Sequence, residues 1–248
     1  MTLRDFFSAH PKAALAFSGG VDSAYLLYAA RTLGADVRPY YVKTCFQPAF
    51  ELEDAGKLTR ELGIPITVVE KDILASDTIR KNPGNRCYYC KQAILGAIQE
   101  AAARDGYTLL LDGTNASDDV SDRPGFLALK ENGVLSPLRE AGLTKAEIRE
   151  KSREAGLFTW DKPAYACLAT RIPTGVPIAE DALAAIERGE GALTRLGFRD
   201  FRIRLLGKAA KIQVKEEQLG LALEKRAQIR EALRADFSDI LLDLEVRP

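Results

Sequence analysis

Residues 13–23 read AALAFSGGVDS, an apolar run that is followed by two glycines and three polar or small residues around a valine. Its apolar part, residues 13–17, lies between Pro11 and a glycine pair, which is typical of a short buried strand. Residues 22–33 have helical composition, and Gly34 is a typical C-terminal cap. Where two glycines join a strand to a helix, the backbone can adopt unusual dihedral angles, and the N–H groups at the start of the helix point toward the turn. The stretch therefore predicts an anion-binding turn.

The same alternation continues along the chain. Residues 37–42, 66–69 and 108–111 have strand character, and residues 50–62 and 91–104 have helix character. Strands that alternate with helices of about a dozen residues predict an α/β fold with a doubly wound, mostly parallel sheet. A further helix is predicted at 144–155, with Thr144 and Glu147 as its capping box, after a loop-rich region at 115–142.

A change of pattern predicts a second domain. Residues 163–177 contain three prolines and a glycine, so we expect a linker there between residues 1–162 and 178–248. The C-terminal part reads as a hairpin around Gly207, a helix at 216–233 and a strand at 240–246. This order predicts a small α+β domain.

Composition excludes several classes of protein. The 248 residues include one histidine, His10, which precedes the first strand, so Ser-His-Asp catalysis and multi-histidine metal sites are disfavoured. Lys+Arg and Asp+Glu are both 35, which gives no overall field to attract nucleic acid. No apolar stretch has membrane-spanning length and the first ten residues lack a signal core. We therefore expect a cytoplasmic protein without a membrane partner.

The four cysteines suggest one site plus one bystander. Cys87 and Cys90 form a CxxC pair, and Cys167 lies in the predicted linker, while Cys45 follows the second strand as core or pocket lining. A structural zinc site needs four ligands, and no second CxxC exists. Three thiolates suit a [4Fe-4S] cluster with one iron open to sulfide or substrate. A redox CxxC pair and a partly formed zinc site are the alternatives.

The turn after the first strand resembles a known family. Residues 18–23, SGGVDS, resemble the PP-loop of ATP pyrophosphatases, which split ATP into AMP and pyrophosphate to activate a substrate as its adenylate. Residues 111–115, LDGTN, resemble the second nucleotide-side motif, and residues 136–138 and 144–149 resemble the shared loop and helix. No Walker-type lysine follows the glycines. The ATP-binding residues implied are Ser18, Gly19, Gly20, Val21, Asp22, Ser23, Asp112, Gly113 and Thr114, with Asp22 on Mg²⁺ and Asp112 equally explicable as a turn cap.

Within this superfamily, nearly the whole chain resembles the LarE-type sulfur transferases. The matching blocks are residues 16–23, Cys87–Lys91 (CYYCK), residues 122–125 (DRPG), Cys167 with residues 171–173, residues 196–198, Arg202–Arg204 and residues 242–244. The resemblance implies that ATP adenylates the carboxylates of pyridinium-3,5-biscarboxylic acid mononucleotide, which become thiocarboxylates of the nickel-pincer cofactor of lactate racemase. One branch of the family sacrifices the sulfur of a cysteine near Cys167. The other holds a [4Fe-4S] cluster on three cysteines, and Cys87, Cys90 and Cys167 assign this chain to it.

The resemblance also implies substrate contacts. Arg202 and Arg204 share one strand face by alternation and would bind the substrate phosphate, with Glu190 nearby; an exposed polar face is the alternative. Lys91 would contact acyl-phosphate or pyrophosphate, or lie solvated at a helix start. Arg171 would stabilise phosphate or cluster sulfur. Further implied partners are sulfide or another sulfur source, and further copies of the chain in a homo-oligomer as large as a hexamer, joined through the C-terminal domain.

Three other functions compete with this one. A tRNA thiolase of the same superfamily can also use three cysteines, although an RNA-binding module and extra CxxC pairs are not visible in the sequence. An amidating ligase would use ammonia and would not need the thiols. A non-catalytic iron–sulfur or zinc-binding regulator could keep the nucleotide fold, and the intact loop argues against it.

Overall fold

The computed structural model describes residues 1–119 and 124–247. The chain forms two compact units. The first unit contains Met1–Ile73 and Asn85–Ala164, and the second contains Leu74–Gly84 and Tyr165–Pro248. The segment expected to be a linker, 163–177, therefore belongs almost wholly to the second unit, which also takes a short segment from the first half of the chain.

Alternating strands and helices build most of the chain. The strands are β1 (Lys12–Ala16), β2 (Asp36–Lys43), β3 (Thr67–Glu70), β4 (Leu110–Leu111), β5 (Arg202–Leu206), β6 (Ala209–Gln213) and β7 (Ile240–Leu242). The α-helices are α1 (Leu3–Ala9), α2 (Val21–Thr32), α3 (Ala49–Glu61), α4 (Asp77–Arg80), α5 (Arg86–Arg104), α6 (Pro124–Glu131), α7 (Pro137–Glu140), α8 (Lys145–Glu154), α9 (Glu180–Arg195), α10 (Leu219–Glu224) and α11 (Arg226–Leu233). Short 3-10 turns cover Leu168–Arg171 and Glu216–Gln218.

The first unit is a parallel sheet with helices on both faces. Its strand order is β3-β2-β1-β4, and β1 pairs in parallel with both β2 and β4. Ala13 and Leu15 pack into one apolar cluster with α2, while Ala14 packs into another with α5. Side chains alternate across a strand, so β1 is buried on both faces and reads as a continuous apolar run. The predicted α/β fold is confirmed.

The second unit is smaller and mixes helices with a three-stranded sheet of order β5-β6-β7. β5 and β6 form the expected antiparallel hairpin, which turns at Gly207 with φ +60°. β7 pairs in parallel with β6. The predicted strand at 240–246 is shorter than expected, and the predicted helix at 216–233 is broken at Lys225 into two helices.

Helix α9 was not predicted, because Gly189 and Gly191 weaken its helical signal. The structure explains one of these glycines. A Cβ at Gly189 would lie 2.8 Å from Ile203 Cδ1 and 3.0 Å from Leu233 Cδ2, so a larger residue would require these buried side chains to shift. Tertiary packing thus overrides local propensity at this position.

The region 115–142, expected to be loop-rich, contains α6 and α7. Helix α5 begins at Arg86, five residues before the predicted start, and therefore includes the CxxC pair. Its N-cap residue is Asn85, an amino acid favoured at that position, although the Asn85 side chain makes no capping hydrogen bond. None of the described helices is long and apolar enough to cross a membrane.

Candidate active site

The predicted anion-binding turn lies at the carboxyl end of β1. Gly19 has φ +72°, and a Cβ there would lie 3.2 Å from the carbonyl oxygen of Glu51. Helix α2 starts directly after Gly20, a residue that has no side chain to cap the first N–H groups of the helix. The hydroxyl oxygens of Ser18 and Ser23 are 3.1 Å apart. The turn thus presents helix N–H groups and hydroxyls in one place, as an anion requires. We call residues 18–23 the phosphate loop.

The second predicted motif meets this loop. β4 lies beside β1, so the ends of both strands share one edge of the sheet. A Cβ at Gly113 would lie 2.9 Å from the backbone nitrogen of Ser23, which shows how closely the two segments pack. Asp112 is buried and accepts hydrogen bonds from Thr114 N at 3.2 Å and from Ser136 Oγ at 2.7 Å. Its carboxylate therefore shapes the turn that carries Gly113 and Thr114.

Asp22, the expected Mg²⁺ ligand, lies where several elements converge. Its carboxylate forms an ion pair with Lys145 and accepts a hydrogen bond from Asn115 Nδ2 at 3.3 Å. Lys145 is the first residue of α8, where the predicted capping box of Thr144 and Glu147 is present. Mg²⁺ commonly uses one or two carboxylates together with phosphate oxygens, so a single aspartate here fits that ion. The sequence placed Lys145 in a helix shared by the family, but it gave no signal that this lysine pairs with Asp22.

A second lysine reaches the loop. Lys162 Nζ is 2.7 Å from Asp54 Oδ2 and 3.4 Å from the carbonyl oxygen of Gly19. Arg149 donates a hydrogen bond to the backbone carbonyl of Lys162 at 2.8 Å, which fixes this segment against α8. The sequence gives no local signal for this contact, because nothing around Lys162 marks it as a neighbour of the glycines.

The cysteine pair lies in the first turn of α5, with Cys87 exposed and Cys90 half-buried. Tyr88 donates a hydrogen bond to Glu131 at 2.7 Å, which ties this turn to α6 and raises the pKa of Tyr88. Lys91 is half-buried on the same helix. Residues three apart on a helix lie on one side of it, so both thiols can point in a shared direction.

Cys45 lies between β2 and α3 in the first unit. Its neighbour Phe46 places its ring 5.8 Å from the guanidinium carbon of Arg86, which precedes Cys87. The loop that carries Cys45 therefore approaches the start of α5, a closeness the sequence did not predict.

In the second unit, Cys167 precedes the 3-10 turn that ends at Arg171. Arg171 is 1% exposed, and its guanidinium binds both carboxylate oxygens of Glu190 at 2.9 and 3.0 Å. It also donates to the carbonyl oxygen of Ala166 at 2.8 Å. These contacts of Arg171 hold the backbone next to Cys167.

Glu190 is buried at the centre of this arrangement. Besides Arg171, it accepts hydrogen bonds from Tyr165 Oη and from the backbone nitrogen of Ile203 at 3.0 Å. The Tyr165 ring lies 4.6 Å from the guanidinium carbon of Arg171 and 5.1 Å from that of Arg202. Burial, followed by the charge and hydrogen bond of Glu190, raises the pKa of Tyr165 far above its ordinary value. Tyr165 carried no sequence signal.

Arg202 and Arg204 differ in exposure although they share a strand face. Arg202 is 7% exposed and lies 3.8 Å from the Asp200 carboxylate, whereas Arg204 is exposed and donates to the Thr170 carbonyl at 3.1 Å. Burial, then Arg171 and Arg247, lowers the pKa of Arg202.

Asp200 also pairs with Arg247 at 3.0 Å and with Lys215 at 3.5 Å. Among the described residues, this network brings together four cations (Arg171, Arg202, Lys215 and Arg247) and two carboxylates, those of Glu190 and Asp200. Guanidinium and ammonium groups gathered in this way are suited to bind an anionic ligand.

The remaining expected site residues are those of the DRPG block and the three cysteines. Asp122 and Arg123 of the DRPG block lie outside the described residues. Within residues 1–119 and 124–247, no group of three or more His, Cys, Asp or Glu side chains is placed to hold a metal ion. The CxxC pair belongs to the first unit and Cys167 to the second.

Comparison with known proteins identifies the family through relatives of the chain. No family model matches the chain. An uncharacterized protein of Synechocystis is 38% identical over 88% of this chain and 81% of its own length. Pyridinium-3,5-bisthiocarboxylic acid mononucleotide synthase of Lactiplantibacillus plantarum is 32% identical over 93% of this chain and 84% of its own. A tRNA-specific 2-thiouridylase of Pseudothermotoga lettingae is 27% identical, over 61% of this chain and 54% of its own.

The parallel sheet, the SGGVDS loop and these relatives define the class: an ATP-dependent sulfur-transferring enzyme of the PP-loop ATP pyrophosphatase type. The likeness to the Lactiplantibacillus enzyme extends over nearly the whole chain, whereas the thiouridylases match only part of it. The chain belongs to the LarE family, that of pyridinium-3,5-bisthiocarboxylic acid mononucleotide synthase. The family expected from the sequence is confirmed.

Proposed function

We propose that this chain converts the carboxylates of pyridinium-3,5-biscarboxylic acid mononucleotide into thiocarboxylates, using ATP and Mg²⁺. The observation that carries the proposal is the meeting of two motifs, where Gly113 packs against Ser23 at the start of α2. Backbone N–H groups, two serine hydroxyls and the Asp22 carboxylate then surround one position. This arrangement suits the phosphates of ATP and their magnesium ion.

The proposed reaction has two steps. A carboxylate oxygen of the substrate attacks the α-phosphorus of ATP, the bond from that phosphorus to the bridging oxygen breaks, and pyrophosphate leaves. A sulfur nucleophile at the oxidation level of sulfide then forms a bond to the carboxyl carbon. The bond from that carbon to the AMP oxygen breaks, AMP leaves with the electron pair, and the proton of the sulfur goes to solvent. The sequence is redox-neutral.

Cys87, Cys90 and Cys167 are the proposed ligands of a [4Fe-4S] cluster. Thiolates are the ordinary ligands of iron–sulfur clusters, and the placement of Cys87 and Cys90 in one helical turn supports their joint use. When bound, the cluster would supply an open iron that carries the sulfide to be transferred. Loss of sulfur from Cys167 itself is the alternative source.

The second unit is the proposed site for the substrate phosphate, with Arg202 and Arg204 as its ligands. The three cations that pair with Asp200 (Arg202, Lys215 and Arg247) support this role, because such groups form charge-assisted hydrogen bonds with phosphate. Glu190 stays part of this proposed site, and its carboxylate accepts hydrogen bonds from Arg171 and Tyr165, which supports a role in holding these side chains in place.

Self-association through the second unit stays part of the proposal. Leu206, Leu241 and Leu244 are exposed on this unit, at 56%, 41% and 84%. Exposed apolar side chains on one unit support a surface that binds a partner.

The test is anaerobic thiolation of the biscarboxylate mononucleotide with ATP, Mg²⁺ and sulfide, with the sulfur transferred counted per chain. More than one sulfur per chain supports the cluster carrier. At most one, with dehydroalanine at position 167, supports the sacrificial cysteine. Cys87→Ala should lose multiple turnovers, and Cys45→Ala is the matched control that should keep them.

The same preparation also tests the alternative function, that of a tRNA thiolase. The thiouridylase relatives give that function its support, and they cover only about three-fifths of this chain. Thiolation of tRNA in place of the mononucleotide, with steeply salt-dependent tRNA binding, would overturn the proposal.

A further inference from the structure

We infer that Lys162 is a ligand of the β- and γ-phosphates of ATP and of the pyrophosphate that leaves. This inference rests on the proposed function, because it concerns the same phosphate loop. It adds a residue that the loop motif does not contain.

The phosphate loop itself has no cationic side chain. Its residues offer N–H groups, hydroxyls and the negative Asp22, and no lysine follows the glycines as in a Walker loop. Charge nevertheless builds on the leaving pyrophosphate as its bond to the α-phosphorus breaks. A cation placed beforehand at that position stabilises the transition state. The chain must therefore bring positive charge to the loop from elsewhere.

In the described part of the first unit, two cations contact the loop. Lys145 does so through the Asp22 carboxylate, and Lys162 through the carbonyl oxygen of Gly19 at 3.4 Å. Lys145 faces the side of the loop where Mg²⁺ is proposed. Lys162 contacts the glycine turn itself, so it brings a second positive charge next to the loop.

The environment of Lys162 is unusual for a lysine. Its side chain is only 15% exposed, whereas lysines are mostly exposed on protein surfaces. The ammonium lies 5.5 Å from the centre of the Phe50 ring. Partly buried ion pairs add little net stability, because desolvation offsets their attraction. Stability alone is therefore a weak reason for placing a lysine here.

The donors of Lys162 also leave room for a ligand. An ammonium group donates three hydrogen bonds. Among the described residues, Asp54 and the Gly19 carbonyl accept two of them. A third donor beside the loop can reach a phosphate oxygen. Arg149 holds the Lys162 backbone, so little ordering is required when ATP binds.

The test is equilibrium binding of ATP, pyrophosphate and AMP, each with Mg²⁺, to the full chain. The fluorescence of Trp160, the only tryptophan and two residues from Lys162, supplies one readout, and calorimetry a second. Lys162→Gln should weaken ATP and pyrophosphate roughly tenfold to hundredfold, as expected for a lost charge-assisted hydrogen bond, and should leave AMP within about twofold. Lys162→Arg keeps the charge and should retain most of the ATP affinity.

Two control variants separate binding from a structural role. Lys57→Gln removes another cation, on α3 and over the Phe158 ring, and should leave ATP affinity unchanged. Asp54→Asn breaks the ion pair but keeps the Lys162 charge, so ATP affinity should be retained or raised.

Three results would overturn the inference. One is ATP affinity of Lys162→Gln within about twofold of wild type. Another is an equal loss of AMP, ATP and pyrophosphate in Lys162→Gln. The last is an Asp54→Asn variant that loses as much ATP affinity as Lys162→Gln. Wild-type chain that binds no ATP at all would instead overturn the proposed function, and this inference with it.

Discussion

The two units build their candidate sites in opposite ways. In the first unit, the phosphate loop uses backbone N–H groups and small side chains that are contiguous in sequence, and Gly19 and Gly113 bring segments into close contact. In the second unit, Tyr165, Arg171 and Glu190 meet from separate elements and are held by buried charge. The first site therefore depends on backbone shape and the second on charge balance.

This difference determines which changes each unit tolerates. A backbone site can lose a side-chain charge, but it cannot accept added atoms where two segments touch. A buried charge network tolerates few substitutions, because removal of one charged side chain leaves its partner buried without a counter-charge or water. Substitutions in the two units should consequently fail for different physical reasons.

Glu190→Ala should have the largest effect. It leaves the Arg171 guanidinium, 1% exposed, without its carboxylate, and it also removes the acceptor of Tyr165 and of Ile203 N. We expect the free energy of unfolding to fall by about 3–5 kcal/mol, as for other broken buried pairs. Urea denaturation monitored by circular dichroism measures this.

The control is on the same helix. Arg188 pairs with Asp236, and the Arg188 side chain is 60% exposed. Arg188→Ala should cost less than about 1 kcal/mol, because water screens the charge of this exposed side chain. Equal losses in the two variants would show that burial does not set the stability of this network.

The contrast also explains how much could be predicted from the sequence. The α/β fold, the phosphate loop and the LDGTN turn are contiguous patterns, and the sheet brings them together because β1 and β4 are neighbours. The capping box of α8 is equally local and is present as predicted. Patterns of this kind can be predicted because they depend only on residues that are neighbours in sequence.

Long-range contacts could not be predicted. Nothing near Lys162 signals Gly19, and nothing near Glu190 signals Arg171. Helix α9 itself was hidden by Gly189, where a larger residue would require buried side chains to shift. Such contacts depend on how elements pack in three dimensions, and one sequence gives no direct measure of that.

Gly113→Ala should have the second largest effect. The new Cβ would lie 2.9 Å from Ser23 N and 3.2 Å from Ser23 Cα, so backbone must move. We expect a loss of roughly 1–3 kcal/mol in the free energy of unfolding, as for other overpacked sites. ATP affinity should fall together with stability, because the displaced atoms begin α2. Calorimetric titration and urea denaturation measure the two effects.

Gly96→Ala is the matched control. Gly96 lies inside α5, and a Cβ there meets nothing within 4 Å. The free energy of unfolding should rise by about 0.5–1 kcal/mol, because alanine favours a helix interior. If both alanine variants behaved alike, close packing at Gly113 would not be the cause.

Thr144→Ala should have the smallest effect and tests a contact on which the first site depends. Thr144 caps α8 directly before Lys145, the ion-pair partner of Asp22. Loss of an N-cap threonine costs about 1 kcal/mol. Urea denaturation of wild type and variant at neutral pH measures this cost, and the phosphate loop should keep its ATP affinity within about threefold.

The pH dependence of the stability difference between wild type and Thr144→Ala shows whether Glu147 contributes to it. Hydrogen bonds from the Thr144 side chain and backbone lower the pKa of Glu147. A carboxylate with a lowered folded-state pKa stabilises the fold above its unfolded pKa, about 4.3, and this contribution is lost as pH falls through the folded value. The stability difference between wild type and Thr144→Ala should therefore shrink below about pH 4. A difference that stays constant to pH 3 would assign the effect to the Thr144 hydroxyl alone, since only the Glu147 half of the capping box titrates in this range.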